Sequence, residues 1–407
     1  MLSAFDQLAP GATAGVQVHA ERCVHALDAF AQCQICLDEC PADALHIDET
    51  VVLDPARCTA CGACVHTCPV GAFEAQDITH DVLRCAARTG SEGAIALLCA
   101  HHPPTPYGIR PVNAAIVIGQ CLAALGPSVY AGLVALGVTQ IDIYLDACAD
   151  CPLGARASIE RTLDKARRVL QPWIEAERIA AITGLADGAP GPRWTVYFAD
   201  QPPISRRRLL NPFAASDIDD RLDALVIDPA ALPGPKRVPN ERLRLLHALA
   251  LLPPAGQALC PAPQAGQVFM RVGAEDGCTA CGACEKACPT GALGLEVDDH
   301  TRAFRLTHLT AICTGCEVCL HLCDPGVLYS RGVPFAGALQ TPAEEAIATG
   351  RFARCKRCKA RVAEGTLTSE GLCEICAFRR ANPFGAYIPP RARSLLARQK
   401  RTAPPPG

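Results

Sequence analysis

The chain has 407 residues, 26 of them cysteine, and a formal charge of −3 at pH 7. That length predicts about two to four domains. The cysteines stand at cluster and metal spacings, which excludes a secreted disulfide scaffold and points to a reducing, cytoplasmic setting where thiols stay free.

The small net charge conceals two opposed ends. Residues 1–82 carry twelve acids against Arg22 and Arg57, and residues 351–407 carry thirteen bases against Glu364, Glu370 and Glu374. Such ends either steer oppositely charged redox partners or are simply solvated surface. The start, Met1 to Gln7, lacks the basic flank and apolar core of a secretory signal.

Residues 19–82 form the first expected module. Its second cysteine run, Cys58, Cys61, Cys64 and Cys68 followed by Pro69, reads C-x2-C-x2-C-x3-C. That spacing wraps three thiolates of one tight loop around a 4Fe-4S cube and sends the fourth to a neighbouring cube. The first run lacks its leading cysteine, because Phe30 stands where one belongs before Cys33, Cys36 and Cys40. Cys23 is the replacement, since a longer lead-in still reaches the same iron. The crossed pattern then predicts one cluster on Cys23, Cys33, Cys36 and Cys68, and a second on Cys58, Cys61, Cys64 and Cys40. Should Cys23 fall short, a three-iron cluster or a ligand such as His25 takes that place.

Residues 83–190 change character. No charged residue occurs from Val112 to Ile141, a run long enough to span a bilayer. Gly119, Gly126, Pro127 and Gly137 instead divide it into a strand at 114–118, a helix at 127–136 and a strand at 140–145. Further strands are expected at 93–99 and 179–183, with an amphipathic helix at 155–170, which together make a small soluble α/β domain with a buried parallel sheet. It holds Cys85, Cys99, Cys121, Cys148 and Cys151, three of them where strands end, and strand C-termini of open α/β sheets gather ligands. These five are a possible fifth cluster, buried apolar packing, or a redox dithiol at Cys148 and Cys151.

Residues 191–265 read as a proline-rich ordered connector with a short strand at 195–198, a helix at 241–252 and an isolated Cys260 taken as a non-ligand. Ser205 to Leu210, with Arg206, Arg207 and Arg208, reads as a basic helix start. Residues 266–333 form a second module with two complete runs, Cys278, Cys281, Cys284, Cys288 and Cys313, Cys316, Cys319, Cys323. By the same crossing, one cluster falls on Cys278, Cys281, Cys284 and Cys323, and the other on Cys313, Cys316, Cys319 and Cys288. Gly282 and Gly315 let the loops bend, and Pro289 and Pro325 end them. In residues 350–385, the pairs Cys355/Cys358 and Cys373/Cys376 have zinc-ribbon spacing for one structural Zn. Residues 386–407 form a basic tail expected to be disordered.

The Cys-Pro motifs at 40–45, 68–73 and 288–293 resemble bacterial two-cluster ferredoxins, and the heptad Cys-Thr-Ala-Cys-Gly-Ala-Cys occurs at both 58–64 and 278–284. The resemblance implies compact ββαββα-like units whose clusters pass single electrons. The central layout, with Cys121 near a strand end, a helix, then Cys148 and Cys151, resembles the delta subunit of methyl-viologen-reducing hydrogenase, in which such cysteines hold a relay cluster. It departs from that family in the wide gap between Cys85 and Cys99.

The expected class is therefore α+β and multidomain: two ferredoxin-like 2[4Fe-4S] modules, a central Rossmann-like α/β domain and a C-terminal zinc ribbon. The expected function is single-electron relay to or from a larger redox enzyme of hydrogenase, formate dehydrogenase or flavin-based reductase type, with no catalytic residue, small-molecule substrate or membrane span of its own. A catalytic disulfide- or sulfur-reducing component, and a redox-sensing regulator, are the alternatives. Nucleic-acid contact at the basic knuckle is disfavoured because few aromatics interleave with its Lys and Arg.

Overall fold

The computed structural model describes residues 15–29, 31–89, 93–102, 108–184, 191–203, 217–226, 236–260 and 269–388. The basic stretch 205–210, parts of the connector and the tail from 389 lie outside these residues. The chain divides into two compact units, Met1–Val268 with Val333–Thr341, and Phe269–Gly332 with Pro342–Gly407.

The first unit begins with the small module. Strand β1 (Val16–Val18) is followed by the short helix Ile35–Glu39, the hairpin β2 (Leu45–Ile47) and β3 (Val51–Leu53), the short helix Ala63–Thr67 and β4 (Phe73–Ala75). β1 pairs antiparallel with β4, Val16 opposite Ala75, while β2 pairs with β3. The order is strand, helix, hairpin, helix, strand rather than the ββαββα order implied by the resemblance. First and last strands pair, which closes the module on itself.

The central region of this unit is a five-stranded parallel sheet in the order β8-β7-β5-β6-β9. Its strands are β5 (Ala94–Leu98), β6 (Ala114–Val117), β7 (Gln140–Tyr144), β8 (Ile179–Ile182) and β9 (Val196–Phe198). The interiors of β5, β6 and β7 are fully buried, Ile95, Leu97, Ile116 and Ile143 among them, as expected for strands covered on both faces. β9 joins the sheet beside β6, with Val117 opposite Phe198. The strand expected at 195–198 therefore belongs to the sheet, because parallel pairing with β6 satisfies a ladder that a free connector strand would leave open.

The uncharged run folds as β6, a turn, helix Pro127–Ala135 and the approach to β7. Almost every residue of that helix is buried. It packs against helices Thr79–Thr89, Arg156–Leu170 and Asn240–Ala250, so its all-apolar surface reflects enclosure by protein. Pro127 occupies the first turn, and Glu241 accepts from Ser128 N at 2.7 Å and from Ser128 Oγ at 2.6 Å. A carboxylate at a helix start meets the unpaired N–H groups and the positive end of the dipole. Among the described residues no helix is long and apolar enough to cross a membrane.

A charged knot helps dock the small module on the sheet region. Glu39 is buried and accepts from Ser158 Oγ at 3.1 Å, Arg161 Nε at 2.9 Å and Lys165 Nζ at 2.8 Å, all on helix Arg156–Leu170. These partners hold its carboxyl below the usual range against the opposing effect of burial.

The second unit repeats the small-module pairing and extends it. β10 (Val272–Ala274) pairs with β13 (Leu328–Ser330), and β11 (Leu293–Asp298) with β12 (Ala303–His308). β14 (Glu345–Arg354) then adds to β12, and β15 (Arg361–Ala363) to β14, giving a four-stranded antiparallel sheet. The segment expected as a separate ribbon thus continues the module's own sheet.

Candidate electron-transfer centres

The described structure gathers cysteines into groups of neighbours, and burial raises their thiol pKa values. In the first module, burial pushes Cys36 up to about 12, helped by the nearby Cys68, Cys33 and Cys23. Burial also raises Cys64, whose thiol neighbours are Cys61, Cys58, Cys40 and then Cys36. Cys23 is buried within reach of Cys33 and Cys36, while His25 Nε2 donates to the Cys33 carbonyl at 2.9 Å. Backbone N–H groups point at sulfur: Ala44 N to Cys40 Sγ at 3.3 Å, Ala72 N to Cys68 Sγ at 3.3 Å and Ala60 N to Cys58 Sγ at 3.5 Å.

The second unit repeats this arrangement. Burial pushes Cys284 up to about 12 beside Cys281, Cys278 and Cys323, and raises Cys319 beside Cys313, Cys316 and Cys288. Cys278, Cys281, Cys284 and Cys323 ring one cavity walled by Leu295, Leu306, Val327 and Leu328. Four thiols around an apolar hollow, with backbone donors turned toward sulfur, fit a 4Fe-4S cube.

In the sheet region the cysteines issue from the C-terminal ends of the three central strands. Cys99 directly follows β5, Cys121 lies beyond β6 after Gly119 and Gln120, and Cys148 and Cys151 follow β7. Strand order reverses at β5, so the loops diverge there and leave room for a ligand. Burial pushes Cys121 up to about 12, with Cys61, Cys99 and Cys148 as thiol neighbours, and Cys148 up to about 11, with Cys99 and Cys151.

Cys85 stands apart on helix Thr79–Thr89. Its sulfur faces the Phe198 carbonyl at 3.9 Å, and its polar neighbours are Thr89, Arg88, Arg84 and Asp200. A buried His102 lies beside this site, its Nε2 3.1 Å from Asp146 Oδ2. No spacing signal marked that pair, because His102 and Asp146 meet only once the strand ends converge. Cys260 is buried, its sulfur against the Val169 carbonyl.

The last group has a different scale. Cys355 and Cys358 sit in the β14–β15 turn, and Cys373 and Cys376 at the start of helix Glu374–Ala381. Their four sulfurs lie within 4.8 Å of one another, the one such group among the described residues. Cys358 Sγ is 3.7 Å from Cys373 Sγ. A tetrahedron with metal–sulfur bonds of about 2.3 Å has edges of about 3.8 Å, so this group suits a single ion. Cys373 N donates to Cys355 Sγ at 3.3 Å, and such backbone donation holds the Cys355 thiol well below its usual range.

A large cavity of about 1270 Å³ opens in the first unit, lined by Cys58, Thr59, Cys121 and His101 among others. Its arginines are already engaged: Arg22 and Arg237 pair with Glu74, and Arg244 with Asp77.

The 4Fe-4S dicluster domain profile matches residues 31–72 and again 277–327. An uncharacterized ferredoxin of Methanocaldococcus jannaschii is 40% identical over 48 residues, 11% of this chain and 77% of that protein. The chain belongs to the ferredoxin family. A second uncharacterized ferredoxin of that organism is 32% identical over 77 residues, 17% of this chain and 51% of its own length. One component of an ion-translocating oxidoreductase complex from Methanosarcina acetivorans is 49% identical over 43 residues, 10% of this chain and 16% of that component. The chain thus spans about half of the one and a small part of the other. These likenesses support iron-sulfur clusters of the 4Fe-4S type and a role in electron transfer.

Proposed function

We propose that this ferredoxin is a multi-centre electron conduit serving a larger oxidoreductase in the cytoplasm, of hydrogenase, formate dehydrogenase or flavin-based reductase type. In this reading four cubes are held by Cys23/Cys33/Cys36/Cys68, Cys58/Cys61/Cys64/Cys40, Cys278/Cys281/Cys284/Cys323 and Cys313/Cys316/Cys319/Cys288. A fifth iron-sulfur centre is held by Cys99, Cys121, Cys148 and Cys151 at the ends of a Rossmann-like sheet, and a zinc ribbon by Cys355, Cys358, Cys373 and Cys376. In this reading the modules take residues 19–82 and 266–333, the sheet domain begins at 83 and takes in β9 beyond 190, and β14 joins the ribbon segment to the second module's sheet.

The observation that carries the reading is the grouping of thiols. Cys64 has Cys36 of the other site as a neighbour, and Cys319 has Cys284, which supports two adjacent sites in each module. Such groups take up or release one electron each when loaded. The chain's part is to supply thiolates, backbone donors to sulfur and dry walls, which set potential and exclude water.

Anaerobic protein should contain one zinc and about 18 to 20 iron atoms per chain with matching sulfide. A count near 16 removes the fifth centre, and a zinc-only protein removes the reading. The cavity beside Cys58 and Cys121 favours a second reading, in which a disulfide or sulfur compound is reduced at the strand-end cysteines. Dithionite-driven reduction of such a substrate by the chain alone, abolished by Cys148→Ser with the module clusters intact, would establish it.

A further inference from the structure

The loop from Cys58 to Cys64 meets the turn after β6 at a single close approach. A Cβ placed on Gly62 would lie 2.9 Å from Ala124 Cβ, closer than real Cβ atoms come, and 3.0 Å from Ala124 Cα. Gly62 has φ 83, yet Glu317, at the matching position of the Cys313–Cys323 run, has φ 61. Glycine at 62 thus answers two demands, a left-handed backbone and a neighbour that leaves no room for a Cβ.

One helical turn on, His66 Nε2 donates to Ala123 O at 2.9 Å. The Cys58–Cys64 loop and the Cys121 turn also wall one cavity, with Cys58, Gly62, Cys121 and Ala124 on its lining. Backbone contact, hydrogen bond and shared cavity thus converge on one seam between the small module and the sheet.

We propose that Gly62 and His66 are positioning residues that clamp the Cys58–Cys64 loop against the Cys121 turn, so that the group bound through Cys61 and the group bound through Cys121 act as a coupled redox pair. This rests on the reading of Cys99, Cys121, Cys148 and Cys151 as a cluster site. One electron passes from the reduced member to the oxidised one, with no bond made and no proton moved. The seam sets the distance, on which such transfer depends steeply. The contact also makes the strand-end site the module's neighbour inside this unit, a place where charge leaves or enters the pair of cubes.

The test uses the full chain, reduced with dithionite, and low-temperature electron paramagnetic resonance. In the unaltered protein the signals of the two centres should show mutual spin broadening. Gly62→Ala and Ala124→Leu should remove that broadening and slow electron arrival at the strand-end centre at least tenfold, with iron and sulfide unchanged. His66→Phe should weaken it partially. Gly282→Ala, which imposes a similar backbone strain but meets only Leu295 Cδ2 at 3.5 Å, should leave it as it was.

Absence of broadening in unaltered protein that has its full iron overturns the inference, as does its persistence in Gly62→Ala and Ala124→Leu. The underlying reading fails separately: Cys121→Ser would then leave the iron content untouched.

Discussion

Two loops of this protein share seven residues, Cys-Thr-Ala-Cys-Gly-Ala-Cys, at 58–64 and 278–284. Their backbones agree as well: Ala60 and Ala280 both have φ 52, and Gly62 and Gly282 have φ 83 and 80. Their surroundings do not. Gly62 is pressed against Ala124 of the sheet region, whereas Gly282 faces Leu295 in the hairpin of its own module. The lesson is that a cysteine loop keeps its backbone geometry locally, while what packs on its outer face is chosen by the rest of the fold.

The sharpest way to break this comparison is to remove one ligand from each loop. Cys64→Ser and Cys284→Ser should each cost about four iron atoms per chain, with the other module's spectrum intact. Loss of both modules' signals from either change would mean that the modules do not assemble independently.

Next in size is the strand-end site. Cys121→Ser should lower iron by about two to four atoms per chain, and Cys85→Ser by none, because the Cys85 sulfur faces a carbonyl and a helix rather than the other thiols. Equal losses from both would put Cys85 back among the ligands.

The docking knot gives a stability test. Glu39 has no counterpart in the second module, where Ala287 stands at the matching position. Glu39→Ala leaves Lys165 and Arg161 facing each other without a carboxylate, and should cost about 3 kcal/mol, read as a lower unfolding midpoint with full iron retained before unfolding.

The smallest effect is a pH dependence in the second unit. Burial holds the imidazole of His308 down at about 4, against an ordinary value of 6.5. The unfolded chain therefore binds a proton that the folded one refuses. The stability due to the neutral ring is complete above about 6.5 and is lost as pH falls toward 4, by about 1 kcal/mol per pH unit. His308→Phe should flatten that slope between about pH 6.5 and 5.5 in chemical unfolding.

Much of the chemistry was legible in the spacing. A run of C-x2-C-x2-C-x3-C needs no tertiary information to announce a cube, because its ligands come from one loop with the fourth close by. The strands and helix of the uncharged stretch were legible too, since glycine and proline divide it and β-branched residues fill the strands. The element order of the small modules was not: that their first and last strands pair depends on contacts between residues about sixty positions apart, Val16 with Ala75. Nor was the place of β9, whose three residues carry too little periodicity to reveal a partner. The role of helix Asn240–Ala250 as the cover for the uncharged helix was likewise hidden until Glu241 was seen at Ser128.

What the amino-acid order alone determined is the inventory of cysteine runs and their spacing, because those depend on neighbours a few residues apart. Only the tertiary structure decided which of the five sheet-region cysteines converge, that Cys85 turns away from them, and that Gly62 brings one module loop against Cys121. Those outcomes depend on which strands end side by side, and strand adjacency arises from packing over long separations that no short spacing records.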